Sequence, residues 1–234
     1  MSEGRFIEVI KPGMLTLVQD LGRYGYQQFG VPVAGAMDQF AAAAANLLVG
    51  NDRSDAVLEM MMLGPELKFG FKGFVALTGA DLGPKINGSP VSMWQTVEVK
   101  AGDVLSFGGL KSGLRGYLAV AGGIDTPLVM NSRSTYTKAA LGGFEGRALK
   151  AGDQVPVGSA EAEMPSAMLA IPADLYLPIQ FRKRYVLFWV LRMMPLRTRD
   201  FRLFSTVFIL SPMNATAWAT AWRVHPLNMS KAGI

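Results

Sequence analysis

Residues 74–81 read Phe74-Val75-Ala76-Leu77-Thr78-Gly79-Ala80-Asp81, an apolar strand followed by a turn that contains glycine. Seven further segments in the first 158 residues are also short, apolar or alternating, and bounded by Gly, Pro, Asn or Asp. They are residues 6–10, 15–19, 57–62, 66–69, 96–99, 104–107 and 116–120. Many short strands separated by turn residues are typical of a β-barrel or sandwich. The sequence therefore predicts a mainly β fold.

Two kinds of turn support this prediction. Asn87-Gly88 supplies the two residues with positive φ that a type I′ hairpin turn requires. The tetrapeptide Lys-Ala-Gly-Asp occurs twice between strand-like segments, at residues 100–103 and 150–153. We expect both copies to form corners between strands, at the rims of a barrel.

One or two helices are expected, and one of them stands out at residues 37–49. Phe40, Ala44, Leu47 and Leu48 follow the spacing of a single apolar face, and Gly50 can end the helix in a left-handed conformation. Five consecutive alanines, residues 41–45, favour the helix and allow close packing.

Composition limits the chemistry that this chain can perform. There is no cysteine, and the single histidine is His225, so the first 174 residues hold neither a Ser-His-Asp triad nor a His-based metal site. We therefore predict no metal. The absence of a long apolar run and of a leader-like N-terminus predicts a cytoplasmic protein with no membrane partner.

Several polar groups are candidates for a binding or catalytic site. Asn131-Ser132-Arg133-Ser134-Thr135 combines hydroxyls with a planar guanidinium that can hold an anion at two points, so Arg133, Ser134 and Thr135 are predicted to bind an anionic group. Asp81 either caps its turn or belongs to a site. Asp38 either provides a favourable charge at the helix N-terminus or belongs to the long polar loop before it.

Nucleotide-binding motifs are missing from the sequence. Residues 108–112, Gly-Gly-Leu-Lys-Ser, lack the spacing of a phosphate-binding loop, and no Gly-x-Gly-x-x-Gly segment joins a strand to a helix.

Eight segments follow one another in an order that resembles a known family. They are residues 18–23 (VQDLGR), 30–32 (GVP), 35–38 (GAMD), 45–51 (ANLLVGN), 77–82 (LTGADL), 117–124 (YLAVAGGI), 132–135 (SRST) and 150–153 (KAGD). Together they resemble the biotin-dependent carboxyltransferase family, which includes the C subunit of 5-oxoprolinase, the second subunit of allophanate hydrolase, the KipI antagonist and the carboxyltransferase part of urea carboxylase. The resemblance covers about residues 6–158.

The resemblance implies a cyclophilin-like β-barrel in a heteromeric complex. Such a complex is an ATP-dependent 5-oxoprolinase, or resembles allophanate hydrolase or urea carboxylase, and acts on a small amide or carboxylated substrate. ATP would be used by the complex. No Lys flanked by Met occurs in residues 1–174, so biotin would be carried by another protein.

Roles for individual residues follow from the same resemblance. Arg23 would assist Arg133, Ser134 and Thr135, while Asp81 or Asp38 would orient the substrate or accept a proton. Two alternatives are a non-enzymatic regulator that binds a kinase-inhibitor protein and an inactive truncated remnant.

The chemistry of the chain changes near residue 175. Residues 1–174 carry 14 Lys and Arg against 17 Asp and Glu, a net charge of −3, whereas residues 175–234 carry nine against one, a net charge of +8. We interpret residues 1–158 as the first part of the carboxyltransferase-like domain and residues 159–174 as a linker. Residues 175–234 are interpreted as a frame-shifted remnant of the rest.

A shifted reading frame recovers family-like sequence from this tail. Residues 188–197, read in that frame with permitted codons, can encode LGPEDDAFK, so the barrel is expected to be incomplete at its C-terminus. The alternative is a genuine basic tail that binds RNA or a membrane. With the frame-shift interpretation we predict no nucleic-acid partner.

Overall fold

The computed structural model of this chain describes residues 5–159 and 169–171. These residues form eleven strands, one α-helix and two short 3-10 segments. The strands are β1 Phe6–Lys11, β2 Thr16–Gln19, β3 Val57–Met61, β4 Glu66–Phe69, β5 Gly73–Asp81, β6 Pro84–Ile86, β7 Ser89–Pro90, β8 Thr96–Val99, β9 Val104–Phe107, β10 Ser112–Val120 and β11 Gln154–Pro156. The helix, α1, spans Gln39–Leu48. The predicted mainly β fold is confirmed.

The strands form two sheets in which every pairing is antiparallel. One sheet has the order β11-β1-β4-β9-β6-β7 and the other has the order β2-β3-β10-β5-β8. Within the described residues the two sheets do not close into a complete barrel, as the sequence interpretation expected.

Three layers result from the alternation of side chains along the central strands. On β5, Val75 and Leu77 belong to the core between the sheets, whereas Ala76 belongs to a second core that includes α1. Successive residues of a strand point to opposite faces, so one strand serves both cores. The second sheet therefore lies between the first sheet and the helix.

Two details of the sequence prediction are corrected. The glycine-containing turn predicted within residues 74–81 is part of a strand, because β5 continues to Asp81 and pairs with β10 as far as Ser112. The helix buries Ala41, Ala42, Ala44, Ala45 and Leu48, whereas Leu47 is 57% exposed and Phe40, 37% exposed, lies at the edge of the buried face beside Trp94. Small side chains let α1 approach the sheet closely, so four alanines together with Leu48 form the buried face.

The predicted turns are confirmed. Asn87 and Gly88 have φ values of 50° and 82° between β6 and β7. In each Lys-Ala-Gly-Asp corner the aspartate carboxylate accepts the lysine backbone N–H, at 2.8 Å for Asp103 and 2.7 Å for Asp153. Gly102 and Gly152 then donate to the backbone of β4 and β1, so both corners tie neighbouring strands together.

Part of the predicted linker is described by the structure. Residues 169–171 run beside residues 94–96, with Thr96 N–H donating to the Leu169 carbonyl at 2.8 Å and Ile171 N–H donating to the Trp94 carbonyl at 2.9 Å. The rest of the linker beyond residue 159, and the whole segment 175–234, lie outside the described residues.

Candidate functional site

A buried carboxylate, Asp20, organises the segment that contains most of the predicted site. Asp20 follows β2 directly and is 8% exposed. Its Oδ1 accepts the Gly22 N–H at 2.7 Å, which makes a tight local turn, and it also accepts the hydroxyls of Ser132 and Ser134. Its Oδ2 accepts the Arg133 backbone N–H at 2.5 Å. One carboxylate thus joins the loop after β2 to residues 132–134.

Ser134 is held from two sides by groups of opposite charge. Its hydroxyl bonds the Asp20 carboxylate, and its carbonyl accepts the Arg23 Nη2 donor at 2.8 Å. The Arg23 side chain is fully buried, and its Nε donates to the Val129 carbonyl at 3.1 Å. Among the described residues its Nη1 has no hydrogen-bond partner. Buried charges are stabilised by hydrogen bonding, and here the two charges share Ser134.

Glycines at 142 and 143 allow the chain to pass close over this cluster. A Cβ at Gly142 would lie 2.5 Å from Arg23 Nη2, and one at Gly143 would lie 1.8 Å from Thr135 Oγ1. The Thr135 hydroxyl itself donates to the Val18 carbonyl at 2.8 Å. The hydroxyls of Ser134 and Thr135 are therefore both used within the protein.

Arg133 presents its side chain to a different environment. Its Nη2 lies 2.9 Å from Asp125 Oδ1, with the Arg133 side chain 26% exposed and the Asp125 side chain 58% exposed. Asp55 lies within electrostatic reach of the same guanidinium: burial raises the pKa of Asp55, and the positive charge of Arg133 partly offsets this rise. Arg133 is the accessible guanidinium of the predicted anion site, and it already has an acidic neighbour.

Asp38 caps α1 and is tied to the second sheet. Its Oδ1 accepts the Ala41 N–H at 3.1 Å, and its own N–H donates to the Tyr117 hydroxyl at 2.8 Å. Tyr117 donates to the buried Glu59 carboxylate at 2.9 Å. Burial, together with the Glu59 charge, raises the pKa of Tyr117, which therefore stays protonated and serves as a donor.

Glu59 completes this second polar network. Its Oε1 pairs with Arg115 at 2.6 Å, and its Oε2 accepts the Met37 N–H at 2.8 Å in addition to the Tyr117 hydroxyl. These bonds thereby fix the N-terminus of α1 to the second sheet. The Ala36 N–H also donates to the Asp20 carbonyl at 2.8 Å, so the loop that leads to Asp38 is tied to the Asp20 cluster.

Asp81 lies at the end of β5, and its side-chain partners within the described residues are Gly83 and Lys111. Its Oδ1 accepts the Gly83 N–H at 2.7 Å, and its Oδ2 lies 3.7 Å from the Lys111 ammonium. No hydrogen bond or ion pair joins it to the Asp20 cluster within the described residues. The structure thus brings Arg23, Arg133, Ser134 and Thr135 together and links Asp38 to them through the loop, but it leaves Asp81 apart.

Sequence reasoning missed the residues that organise these networks. Asp20 lies in the family-like segment 18–23 without an assigned role, although a carboxylate directly after a strand is the same signal that selected Asp81. Glu59 carries a clearer signal, because it is a charged residue in the middle of the apolar segment 57–62.

Two general properties of the described residues bear on function. They contain no cluster of three or more His, Cys, Asp or Glu side chains that could hold a metal ion. Their helices are also too short or too polar to cross a bilayer.

Comparison with known proteins gives consistent results. The chain is 42% identical over 161 residues to the C subunit of the 5-oxoprolinase of Escherichia coli K12, covering 69% of this chain and 52% of that protein. It is 42% identical over 148 residues to the urea amidolyase of Saccharomyces cerevisiae, covering 63% of this chain and 8% of the enzyme. The chain therefore spans about half the length of the 5-oxoprolinase subunit that it matches.

A solved structure and a family model agree with these relatives. The crystal structure of the Kluyveromyces lactis urea amidolyase superposes with a TM-score of 0.69 at 36% identity, covering 76% of this chain and 11% of that one. The family model "Carboxyltransferase domain, subdomain A and B" matches residues 29–229. With its two-sheet fold and these matches, this chain belongs to that carboxyltransferase domain family.

Proposed function

We propose that this chain is a subunit of an ATP-dependent complex of the 5-oxoprolinase type, or of the allophanate hydrolase and urea carboxylase type, that acts on a small amide or carboxylated substrate. The observation that supports the proposal best is the Asp20 cluster, which assembles family-like segments from both halves of the described chain. Residues 18–23 and 132–135 are far apart in sequence, yet one carboxylate bonds them together.

Arg133 is the residue that we assign to substrate contact. It is the partly exposed member of the set, whereas Arg23, Ser134 and Thr135 are buried and bonded internally. Those three residues act as positioning groups, since they fix the backbone on which Arg133 stands. The predicted anionic ligand would approach the guanidinium from the solvent side.

Two carboxylates remain candidates for orienting the substrate or accepting its proton. Asp38 is tied through its loop to the Asp20 cluster and is the better placed of the two. Asp81 is separate from that cluster, so its participation requires a substrate that extends to the end of β5. A carboxylate base is most effective when its pKa approaches the working pH.

ATP and biotin are assigned to other components of the complex. At the Gly-rich turn 108–112, the N–H groups of Gly108, Gly109 and Lys111 donate to the carbonyls of Gly83, Leu82 and Asp81. These donors are used within the protein, so this turn does not fit a nucleotide phosphate. ATP would bind a partner subunit, and biotin would be attached to another protein.

A regulator that binds a protein partner is the second candidate. Tyr24, Phe29 and Met37, in the loop before α1, are 57%, 73% and 72% exposed. Large exposed apolar side chains on one loop favour contact with another protein. A partner subunit of the enzyme and a kinase-inhibitor protein would both satisfy this observation. Cytoplasmic location stays a prediction for either function.

The enzyme proposal is tested by reconstituting the full chain with an ATP-using partner subunit. We expect ATP hydrolysis that depends on 5-oxoproline or on urea, and we expect Arg133→Lys to raise KM or lower kcat/KM about 5- to 100-fold because the planar two-point contact is lost. Activity with neither substrate, together with tight binding to a kinase-inhibitor protein, would favour the regulator.

The alternative of an inactive remnant is tested by comparing residues 1–234 with a chain in which the reading frame is repaired. Sequencing the coding DNA decides whether the codons of residues 189–195 yield Gly-Pro and then Asp-Asp-Ala in the shifted frame. A repaired chain should then be active with the same partner where residues 1–234 are not. Equal activity of the two chains would support a genuine basic tail.

A further inference from the structure

The hairpin turn Asn87-Gly88 holds its asparagine side chain against a neighbouring corner of the first sheet. Asn87 Oδ1 accepts the Val104 N–H at 2.9 Å, and Asn87 Nδ2 donates to Asp103 Oδ1 at 2.8 Å. The Asn87 backbone N–H also donates to the Val104 carbonyl at 2.9 Å. Both ends of the carboxamide are therefore bonded where the corner at residues 100–103 leads into β9.

Asp103 is itself fixed in position by this corner. Its Oδ2 accepts the Lys100 N–H at 2.8 Å, and its own N–H donates to the Lys100 carbonyl at 3.0 Å. A hydrogen bond to an ionised acceptor is stronger than one between neutral groups. The corner thus offers the Asn87 amide a charged acceptor that is already held in place.

The residue after Asn87 leaves the same carboxamide open to attack by the backbone. Gly88 is exposed with a φ of 82°, and a Cβ at this position would meet no atom within 4 Å. Without a side chain, glycine allows close approach to its amide nitrogen. That nitrogen can lose its proton to water and attack Asn87 Cγ.

The products of this attack are a cyclic imide and ammonia. A bond forms between the Gly88 nitrogen and Asn87 Cγ, the bond from Cγ to Nδ2 breaks, and the amide nitrogen leaves as ammonia. Water then opens the imide at one of its two carbonyls, which gives either aspartate or isoaspartate. Water is the only other reactant that the conversion needs.

The attack competes with the hydrogen bonds that the structure shows. To reach the Gly88 nitrogen, Asn87 Cγ must turn away from Val104 and Asp103, so the bonds to both residues are lost before the imide forms. The free energy of these bonds therefore adds to the barrier. The rate of the reaction depends on how firmly the corner holds the amide.

We infer that Asn87 is a protected deamidation site, a modification site that Asp103 and Val104 keep closed while the corner is intact. The inference goes beyond the proposed function, because it involves neither the substrate nor a partner. The aspartate product would place a carboxylate next to that of Asp103, and like charges repel. The isoaspartate product would lengthen the backbone of the turn. Either product should loosen the pairing of β6 with β9, so the modification would mark chains in which this part of the sheet has opened.

Mass spectrometry of the full chain during incubation at neutral pH tests the inference. A synthetic peptide of residues 83–92 serves as the unprotected reference. We expect Asn87 to react at least about 10-fold more slowly in the chain than in the peptide, and Asp103→Ala to accelerate the reaction in the chain about 3- to 30-fold, because a charge-assisted bond is lost. Asp103→Asn, which retains an acceptor oxygen, should give a smaller acceleration.

A matched control alters the second Lys-Ala-Gly-Asp corner. Asp153 bonds the Arg147 guanidinium instead of an amide, so Asp153→Ala should leave the rate at Asn87 unchanged. Hydrogen exchange of the β10 amides checks that each variant retains the second sheet.

Two results would overturn the inference. One is an equal rate in the wild-type chain and in either the peptide or Asp103→Ala. The other is an equal acceleration by Asp153→Ala and Asp103→Ala, since general loosening of the sheet would then be the cause. Neither result bears on the ATP-dependent assay, which tests the subunit proposal separately.

Discussion

The tripeptide Asp-Leu-Gly occurs twice in this chain, at residues 20–22 and 81–83, with the same local structure and different surroundings. In both copies the aspartate follows or ends a strand, and its Oδ1 accepts the glycine N–H at 2.7 Å. Asp20 also bonds three residues more than 110 positions away, whereas the charged partner of Asp81 among the described residues is the exposed Lys111. The local sequence therefore specifies the turn, whereas residues distant in sequence determine whether the carboxylate is buried in a hydrogen-bond network or lies at the surface.

The largest expected difference separates alanine substitutions of these two aspartates. Asp20→Ala leaves the hydroxyls of Ser132 and Ser134 and the N–H groups of Gly22 and Arg133 without their acceptor, so it should lower the free energy of unfolding by about 3 to 5 kcal/mol. Asp81→Ala removes a turn bond and an exposed ion pair and should cost about 0.5 to 1 kcal/mol. Guanidinium unfolding of the full chain measures both values. Equal losses would mean that the local turn alone accounts for the stability.

Removal of one donor from the Asp20 cluster should have an intermediate effect. Ser134→Ala deletes one of several bonds to the carboxylate and should cost about 1 to 2 kcal/mol. Ser112→Ala, at the exposed start of β10, is the matched control and should change stability by less than about 0.5 kcal/mol. A loss in Ser134→Ala as small as that of the control would show that the hydroxyl adds nothing to the cluster.

In the described part of the chain, the side chain of a third aspartate, Asp38, accepts a single hydrogen bond, from the helix N–H of Ala41. Asp38→Ala should destabilise the chain by about 1 kcal/mol because the N-cap is lost, and Asp38→Asn should retain most of that stability because its amide oxygen can still accept. Thermal unfolding followed by circular dichroism compares the two variants. Activity of the two variants in the reconstituted complex tests the catalytic role. If Asp38→Asn is folded but inactive while Asp81→Asn is active, Asp38 is the better candidate for the proton acceptor.

The smallest effect concerns the two Lys-Ala-Gly-Asp corners, where identical turns again have different partners. Arg147 hydrogen-bonds Asp153 at 2.7 Å and lowers its pKa, whereas Asp103 accepts from the neutral Asn87 amide at 2.8 Å. A carboxylate whose folded pKa is lowered stabilises the protein above its unfolded pKa of about 4, and this contribution is lost as the pH falls through the folded value.

Replacement of each corner aspartate should therefore have unequal effects on acid stability. Asp153→Asn should reduce the loss of stability below about pH 4 more than Asp103→Asn does. Urea midpoints measured between pH 3 and pH 6 would show the difference. Identical dependence of stability on pH in the two variants would show that the Arg147–Asp153 hydrogen bond does not contribute to acid sensitivity.

Much of the fold was predictable because it depends on neighbouring residues. Alternation, turn dipeptides and glycine positions lie within a few residues of the structure they specify, so β4, β8, β9 and the hairpin at Asn87 were predicted with correct bounds. The predicted buried face of α1 was wrong in part. Periodicity identifies apolar positions, but the close approach of an alanine-rich helix to the sheet selects which of them are covered.

The candidate site was predictable only in part, because its bonds join residues that are distant in sequence. Residues 132–135 were identified by their chemistry, yet the sequence does not reveal that Asp20 bonds them across more than 110 positions. The same limit explains why Asp81 and Asp20 could not be ranked from their shared tripeptide. The ion pair between Arg133 and Asp125 also depends on how the fold brings these two side chains together.

A double-mutant cycle on Asp20 and Ser134 tests most directly whether the long-range contacts organise the site. The free energies of unfolding of Asp20→Ala, Ser134→Ala and the double variant are compared with those of the cycle formed by Asp81→Ala and Lys111→Ala. The account predicts a coupling of about 1 to 3 kcal/mol for Asp20 with Ser134 and of less than about 0.5 kcal/mol for Asp81 with Lys111. Additive losses in the Asp20 cycle, or equal couplings in the two cycles, would contradict it.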